Sequence, residues 1–443
     1  MKSATLGIGA AVLTLAGAGS AAAQALSPLG PGAPQQATRA LHVQGELLVE
    51  HDSNLAGASQ LAATVGNVTP EDTIFAPRLN VDYSMPIGRQ AVFLDGSIAY
   101  LFHNKNKNLD NEQISLAGGA ALHAGPCGGT FTGGYSRGRN ELVNSAARLA
   151  APIPVPGAEG TVPPAVADAT STVFNIQTTK EVGAGVTCGR PSGIGVFAQA
   201  VQAWSSNTEV FSGISDYRYL QTSAGLSYQR PSLGQLMIGG NYSRNINGAP
   251  PPGQLAAHGY ESSGAHVQYS RRLGGRIEAV ASVGYEHAHT LSPPPVTPTT
   301  PATKDFDGMT YSGQLSFKVS SRMQTRASFH REVTPTLLTG NTFEIQTGYD
   351  VGMSYTFGSR IVAALTGGQQ QSEVPNAIVP VGTPLAPTLS KSRVNELSAT
   401  LSYNVSRRLM IGLGAYRERR VGDNPLFNYT NDRVALTLTS NIL

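Results

Sequence analysis

Charged side chains in this chain recur at even spacings, and that spacing is where any chemistry must begin. Glu46 and Glu50, Arg78 and Asp82, Glu278 and Glu286, and Glu344 and Asp350 each stand an even number of residues apart within one short segment. Apolar residues take many of the odd positions between them. Successive side chains of an extended strand leave opposite faces, so an even spacing puts these charges on one face. The same alternation adds Asp95, Glu181, Lys318, Arg326 and Glu396, with Arg272 and Glu332. A set of this kind forms and breaks no bonds; it creates a field. Carboxylates outnumber cations in it, and an acid-rich wall favours cations and neutral sugars over small anions. The plainer expectation for any single member is that it avoids lipid and pairs across strands.

The other chemically distinctive residues are two cysteines, Cys127 and Cys188. Each falls beside a short turn, and the two turns are expected to be neighbours on one rim. In an oxidising compartment they are candidates for a disulfide spanning the excursion at 140–171. CxxC spacing is absent, which removes the usual cues for a structural metal or a thioredoxin-like site. No GxSxG, HExxH or P-loop pattern is present, and the nine histidines lack ligand spacing. Nothing calls for a cofactor. A Ser-His-acid triad gathered in space from separate strands would leave no such pattern, so a lipid- or sugar-cleaving enzyme remains one of the readings.

The elements that carry these residues are β-hairpins. In YESSGAHVQYSRRLGGRIEAVASVGYEHAH, residues 260–289, Ala265, Val267 and Tyr269 share one face, and Ile277, Ala279, Ala281, Val283 and Tyr285 share one face of the returning arm. The turn between them holds Gly274 and Gly275, which tolerate positive φ. About eighteen such segments follow one another from residue 39 to 443. Short connections alternate with long ones. The short ones include 86–89, 125–128, 189–192 and 231–233; the long ones include 52–71, 140–171, 247–258, 290–305 and 373–390. This predicts an all-β, antiparallel, up-and-down transmembrane barrel with short periplasmic turns and long external loops. An even strand count puts both termini on the short-turn side.

Composition agrees. Only 13% of the 443 residues are charged, about half the usual share of a soluble domain. Hydrophobic residues reach 40%, glycines number 50, and no run of 18 apolar residues occurs after the N-terminus, which excludes a helical membrane protein. Net charge is +3 without a basic tract, so nucleic acid is not an expected partner. Residues 1–23 have the features of a signal peptide for the Sec pathway: Lys2, an apolar run, and small Ala21 and Ala23 before the cut. Residues 24–38 are Pro/Gln/Ala-rich and predict a disordered periplasmic lead-in to the barrel of 39–443.

Arginines gather at the short turns: Arg190, Arg271, Arg322, Arg407 and Arg408, with Arg89, Arg230 and Arg360. They are expected to meet anionic headgroups of the inner leaflet. A basic periplasmic mouth that collects an acidic polymer or docks a periplasmic partner is the sharper alternative.

The segment GELLVEHDSNL (45–55), with His51-Asp52-Ser53-Asn54 at its end, precedes PEDTIFAPRLNVDY (70–83), which opens on Glu71-Asp72. This pair of elements resembles the start of the β-barrel porin 2 family. The resemblance covers about the first 80 residues after residue 23. It implies an outer-membrane barrel. It also implies a part in exopolysaccharide production or export, because members often accompany that process, with exopolysaccharide and periplasmic export components as partners. A general diffusion porin for small solutes is the alternative that the strand count and the acidic face favour.

Overall fold

The computed structural model describes residues 39–55, 57, 68–139, 175–190, 192–208, 216–248, 259–291, 304–335, 343–375, 390–423 and 428–442. The expected signal peptide and the lead-in lie outside these residues, as does the segment 140–171.

Eighteen strands are present among the described residues. They are β1 (Ala40–Asp52), β2 (Asp72–Ile87), β3 (Gln90–His103), β4 (Asn111–Ala124), β5 (Cys127–Arg139), β6 (Ile176–Gly189), β7 (Gly193–Asn207), β8 (Tyr217–Arg230) and β9 (Gly234–Asn247). There follow β10 (Gly259–Leu273), β11 (Ile277–Thr290), β12 (Phe306–Lys318), β13 (Met323–Pro335), β14 (Phe343–Phe357), β15 (Ile361–Glu373), β16 (Lys391–Asn404), β17 (Leu409–Gly422) and β18 (Tyr429–Asn441). Each pairs antiparallel with its neighbours in sequence, and β1 pairs with both β2 and β18. The sheet therefore has no edge. Closure is compulsory for a sheet in hydrocarbon, where every unpaired N–H or C=O costs several kcal/mol.

Alternation decides which face meets lipid. Along β14, Tyr349, Val351 and Met353 are exposed on the outside, while Gln346 and Glu344 on the other face are buried. The register carries this phase round the ring without a slip. Outward Val351 lies opposite Ala327 and Gly367, and outward Leu436 lies opposite Val49 and Leu413. Large exposed apolar residues occur on nearly every strand, among them Leu79, Leu94, Ile98, Phe131, Val196, Leu226, Ile238 and Leu401. An outside of this kind is stable only in a bilayer, where lipid replaces the missing packing partners. The molecule is a transmembrane antiparallel barrel.

The short connections share one rim with the start of β1 and the end of β18. The turn after β10 is built as its residues demand: Gly274 and Gly275 have φ of 56° and 69°. Alternation does not hold to the very end of β14. Phe343 belongs by alternation to the lipid face, but it is 0% exposed. It sits at the long-loop end of β14, where its ring packs 5.7 Å from that of Tyr260 beside Ala288 and Phe306. At a strand end the pleat no longer fixes the side, and an aromatic cluster captures the ring.

Cys127 opens β5 and Cys188 lies near the end of β6, directly opposite in the ladder. Their sulfurs are bonded at 2.07 Å, across a sequence separation of 61. Alternation puts both on the outer face at the short-turn rim. A covalent link over so long a connection limits the unfolded chain, worth about 2–4 kcal/mol. The double variant Cys127→Ser/Cys188→Ser should therefore unfold at lower urea than the oxidised protein, and dithiothreitol should reproduce the shift. Equal midpoints would mean that the bond adds nothing to the barrel.

Candidate functional site: the inner wall

The register places Glu46, Glu50, Arg78, Asp82, Asp95, Glu181, Glu278, Glu286, Lys318, Arg326, Glu344, Asp350 and Glu396 on the inner face, along with Arg272 and Glu332. Five further acids and bases share that face: Asp52, Asp72, Glu418, Arg420 and Arg433 extend the set at the long-loop end. Acids outnumber bases by more than two to one among the described inward residues.

The wall divides into two sectors. On β1, β2, β17 and β18 arginines stand beside two of the acids. Arg78 Nη1 stands 3.5 Å from Glu46 Oε1, and Arg433 Nη1 stands 4.0 Å from Glu50 Oε1. The Arg433 guanidinium also lies over the Tyr416 ring, 5.5 Å from its centre, and Tyr429 Oη donates to Glu418. These side chains are nearly all buried. Buried charge is tolerated only when paired and hydrogen-bonded, so this sector is built as a network.

On β10–β14 neutral donors also hold acids. Ser262 Oγ donates to Glu286 Oε1 at 2.6 Å and stands 2.7 Å from Ser243 Oγ. Ser328 Oγ donates to Asp350, and Gln346 Nε2 donates to Glu344. Hydroxyl and amide donors hold these carboxylates in fixed positions on the wall. Towards the short-turn end Arg272 Nη2 meets Glu278 Oε2 at 3.1 Å, both well exposed. On β2 and β3, Asp82 and Asp95 face each other directly in the ladder.

The motif at the end of β1 closes the ring. Asp52 Oδ1 accepts the N–H of Asn54 at 2.8 Å, an Asx turn. Ser53 N donates to Asp432 O at 3.0 Å, Asp432 N to Ser53 Oγ at 2.7 Å, and Asn54 N to Asn431 Oδ1 at 3.2 Å. The acidic-x-Asn element thus stitches the first strand to the last. Its partner, Asp72, is 0% exposed. It accepts the N–H of Thr73, Lys105 and Asn106 at 2.7, 2.9 and 2.9 Å, and Asn106 Nδ2 at 2.7 Å.

Beside that anchor, residues outside the strands pack on the inner wall at the long-loop end. Leu55, Val68 and Leu109 pack on inward Ile74, Ala76, Ala99 and Leu101. The mouth is apolar here, where alternation alone would suggest a wet wall. The signal was present as Ile74, Ala76 and Leu101 on an otherwise polar face, which is a cue for a covering loop.

Arg190, Arg322, Arg407 and Arg408 lie in the short connections, and Arg271 points outward at the adjoining end of β10. Arg271 Nη2 donates to Ser232 O at 3.1 Å. Among the described residues no group of His, Cys, Asp and Glu is arranged to hold a metal ion.

No family model matches the chain, and no curated protein matches it. Among solved structures it is similar to OccK2 (OpdF) of Pseudomonas aeruginosa, with TM-score 0.46 and 10% identity over 91% of this chain and 98% of that one. It is also similar to the outer membrane protein OpdK of the same organism, at 0.43 and 13%, covering 91% and 99%. OccAB2 of Acinetobacter baumannii gives 0.45 and 9%, covering 91% and 98%.

Proposed function

We propose that the barrel is a passive channel of the Gram-negative outer membrane that admits small polar solutes and prefers cations and neutral sugars to small anions. The observation that carries this reading is the inner wall. It is closed by eighteen strands, polar along most of its surface, and acid-rich. A barrel of this strand number is too wide for its own side chains to fill, so a polar interior leads to an aqueous path unless loops occlude it. Transport is downhill, and the wall supplies selection rather than energy. Export through the Sec pathway with loss of residues 1–23 belongs to the same proposal, as does embedding in outer-membrane lipid.

The experiment is conductance of the full mature barrel in a planar bilayer under a salt gradient. Open-channel current with a cation-selective reversal potential is expected. Asp82→Asn/Asp95→Asn removes two carboxylates that face each other on an accessible part of the wall. It should move the reversal potential towards zero while leaving conductance of the same order. A silent bilayer, or selectivity that the variant leaves unchanged, would count against the channel.

A hydrated exopolysaccharide is a finer assignment of cargo. Its support is the resemblance of 45–83 alone, and no feature of the wall selects a polymer over a small solute. Deletion of the gene should therefore leave secreted polymer unchanged; altered amount or chain length would restore the polymer reading.

A further inference from the structure

The outer face at the long-loop rim carries a second concentration of charge. One ladder row crosses β13 to β17 as Arg331, Thr347, Gln371, Arg393 and Val421, each opposite the next. Lys391 and Arg419 lie beside it, also facing outward and exposed. Together they line an open depression of about 640 Å³. That is room for a sugar-sized headgroup. Four cations face it against Glu373 and Asp423. Lys391 is engaged by Glu373 at 3.2 Å. Gln371, with its amide turned to satisfy both partners, accepts from Arg393 Nη2 at 3.0 Å and Nε at 3.2 Å, which holds the guanidinium in place. Arg419 makes no ion pair among the described residues.

Towards the middle of the strands the same face carries exposed apolar side chains. Phe329 and Tyr349 stand in the next row, with Gln369, Asn395 and Arg419, and Val351 and Leu397 in the one after, with Ala327, Gly367 and Arg417. Cations above a band that accepts hydrocarbon define an amphiphile with a negative head. Arginine matches phosphate in shape as well as charge, through paired N–H donors. A soluble anion would leave the apolar rows unused, and a neutral lipid would leave the cations unused.

We propose that this depression binds the phosphorylated headgroup of an outer-leaflet glycolipid, with its acyl chains along Tyr349, Val351 and Leu397. The inference rests on the transmembrane orientation with long loops outside, and does not depend on whether the barrel conducts.

The test uses the full-length barrel in a non-ionic detergent, with native mass spectrometry and a fluorescent competitor reporting binding. Three probes are compared: bisphosphorylated lipid A, the same lipid enzymatically stripped of phosphate, and inorganic phosphate. Lipid A should bind, and Arg393→Gln/Arg419→Gln should weaken it about tenfold or more, the loss expected for charge-assisted hydrogen bonds. The stripped lipid should bind as weakly as the variant does to lipid A, and inorganic phosphate should not compete at lipid-equivalent concentration. Gel migration before and after heating confirms that the variant is folded; if it is not, the comparison of the three probes on the unaltered protein decides the matter. Equal binding of stripped and phosphorylated lipid, or full competition by inorganic phosphate, overturns the proposal. A conducting barrel that fails this test would keep its channel and lose its lipid site; a silent barrel that passes would do the reverse.

Discussion

Val351→Arg is expected to cost the barrel about 2–4 kcal/mol, the penalty for arginine on the lipid face near the bilayer midplane. Val351 is central in β14, points outward and is 56% exposed. Its neighbours in the ladder, Ala327 and Gly367, offer no carboxylate to pair with a new cation. The guanidinium must therefore snorkel or draw water into hydrocarbon. The adjacent residue provides the control. Asp350 faces inward and accepts from Ser328 Oγ, so Asp350→Asn changes a charge one position away without touching lipid. Folding into liposomes from urea, followed by gel shift, should show a lower midpoint for Val351→Arg and a near-normal one for Asp350→Asn. Equal tolerance at both positions would mean that the two faces see the same medium.

A second large effect is expected at the seam. Arg433→Ala should cost about 3–5 kcal/mol, the range for removing one partner from a buried ion pair. Arg433 is 5% exposed, on the strand that closes against β1. It stands opposite Asp52, within 4.0 Å of Glu50 Oε1 and over the Tyr416 ring. Truncation leaves acids of the β1 and β17 walls buried without their cation. Arg433→Ala/Glu50→Gln should recover part of the loss, because one of the stranded charges is removed as well. The urea midpoint of the three proteins checks this. A single variant as stable as the parent would show that water reaches the site and that the pairing contributes little.

Much of this architecture was legible because a strand writes its orientation into every second residue. The outward run Tyr349, Val351, Met353 and the inward run Glu344, Asp350 settle the phase of β14 without coordinates, and each strand repeats the message. Turn residues such as Gly274 and Gly275 fixed where the phase reverses. What was not legible is whatever depends on distance round the ring. Arg433 and Glu50 are nearly the whole chain apart, and only closure brings them together. Asp72 gave no sign that it would gather four N–H groups, three of them from the 104–110 connection. Phe343 fits the lipid pattern in sequence and leaves it in space, because a strand end is free to turn. The basic row at the outer rim was missed for a related reason. Arg331, Arg393 and Arg419 are far apart along the chain, and only the register sets them side by side.

The central claim is that alternate positions along each strand face lipid and a water-filled lumen. Single cysteines placed in turn at 79–84 of β2, in the Cys127→Ser/Cys188→Ser background and in liposomes, test it most directly. A charged, membrane-impermeant thiol reagent should react at the even positions and reduce the current through the channel, while the odd positions should stay unreactive and be quenched by lipid-borne nitroxide. Reaction without alternation would contradict the barrel's two-faced wall. Alternating lipid contact with no reaction at the even positions would contradict the open lumen.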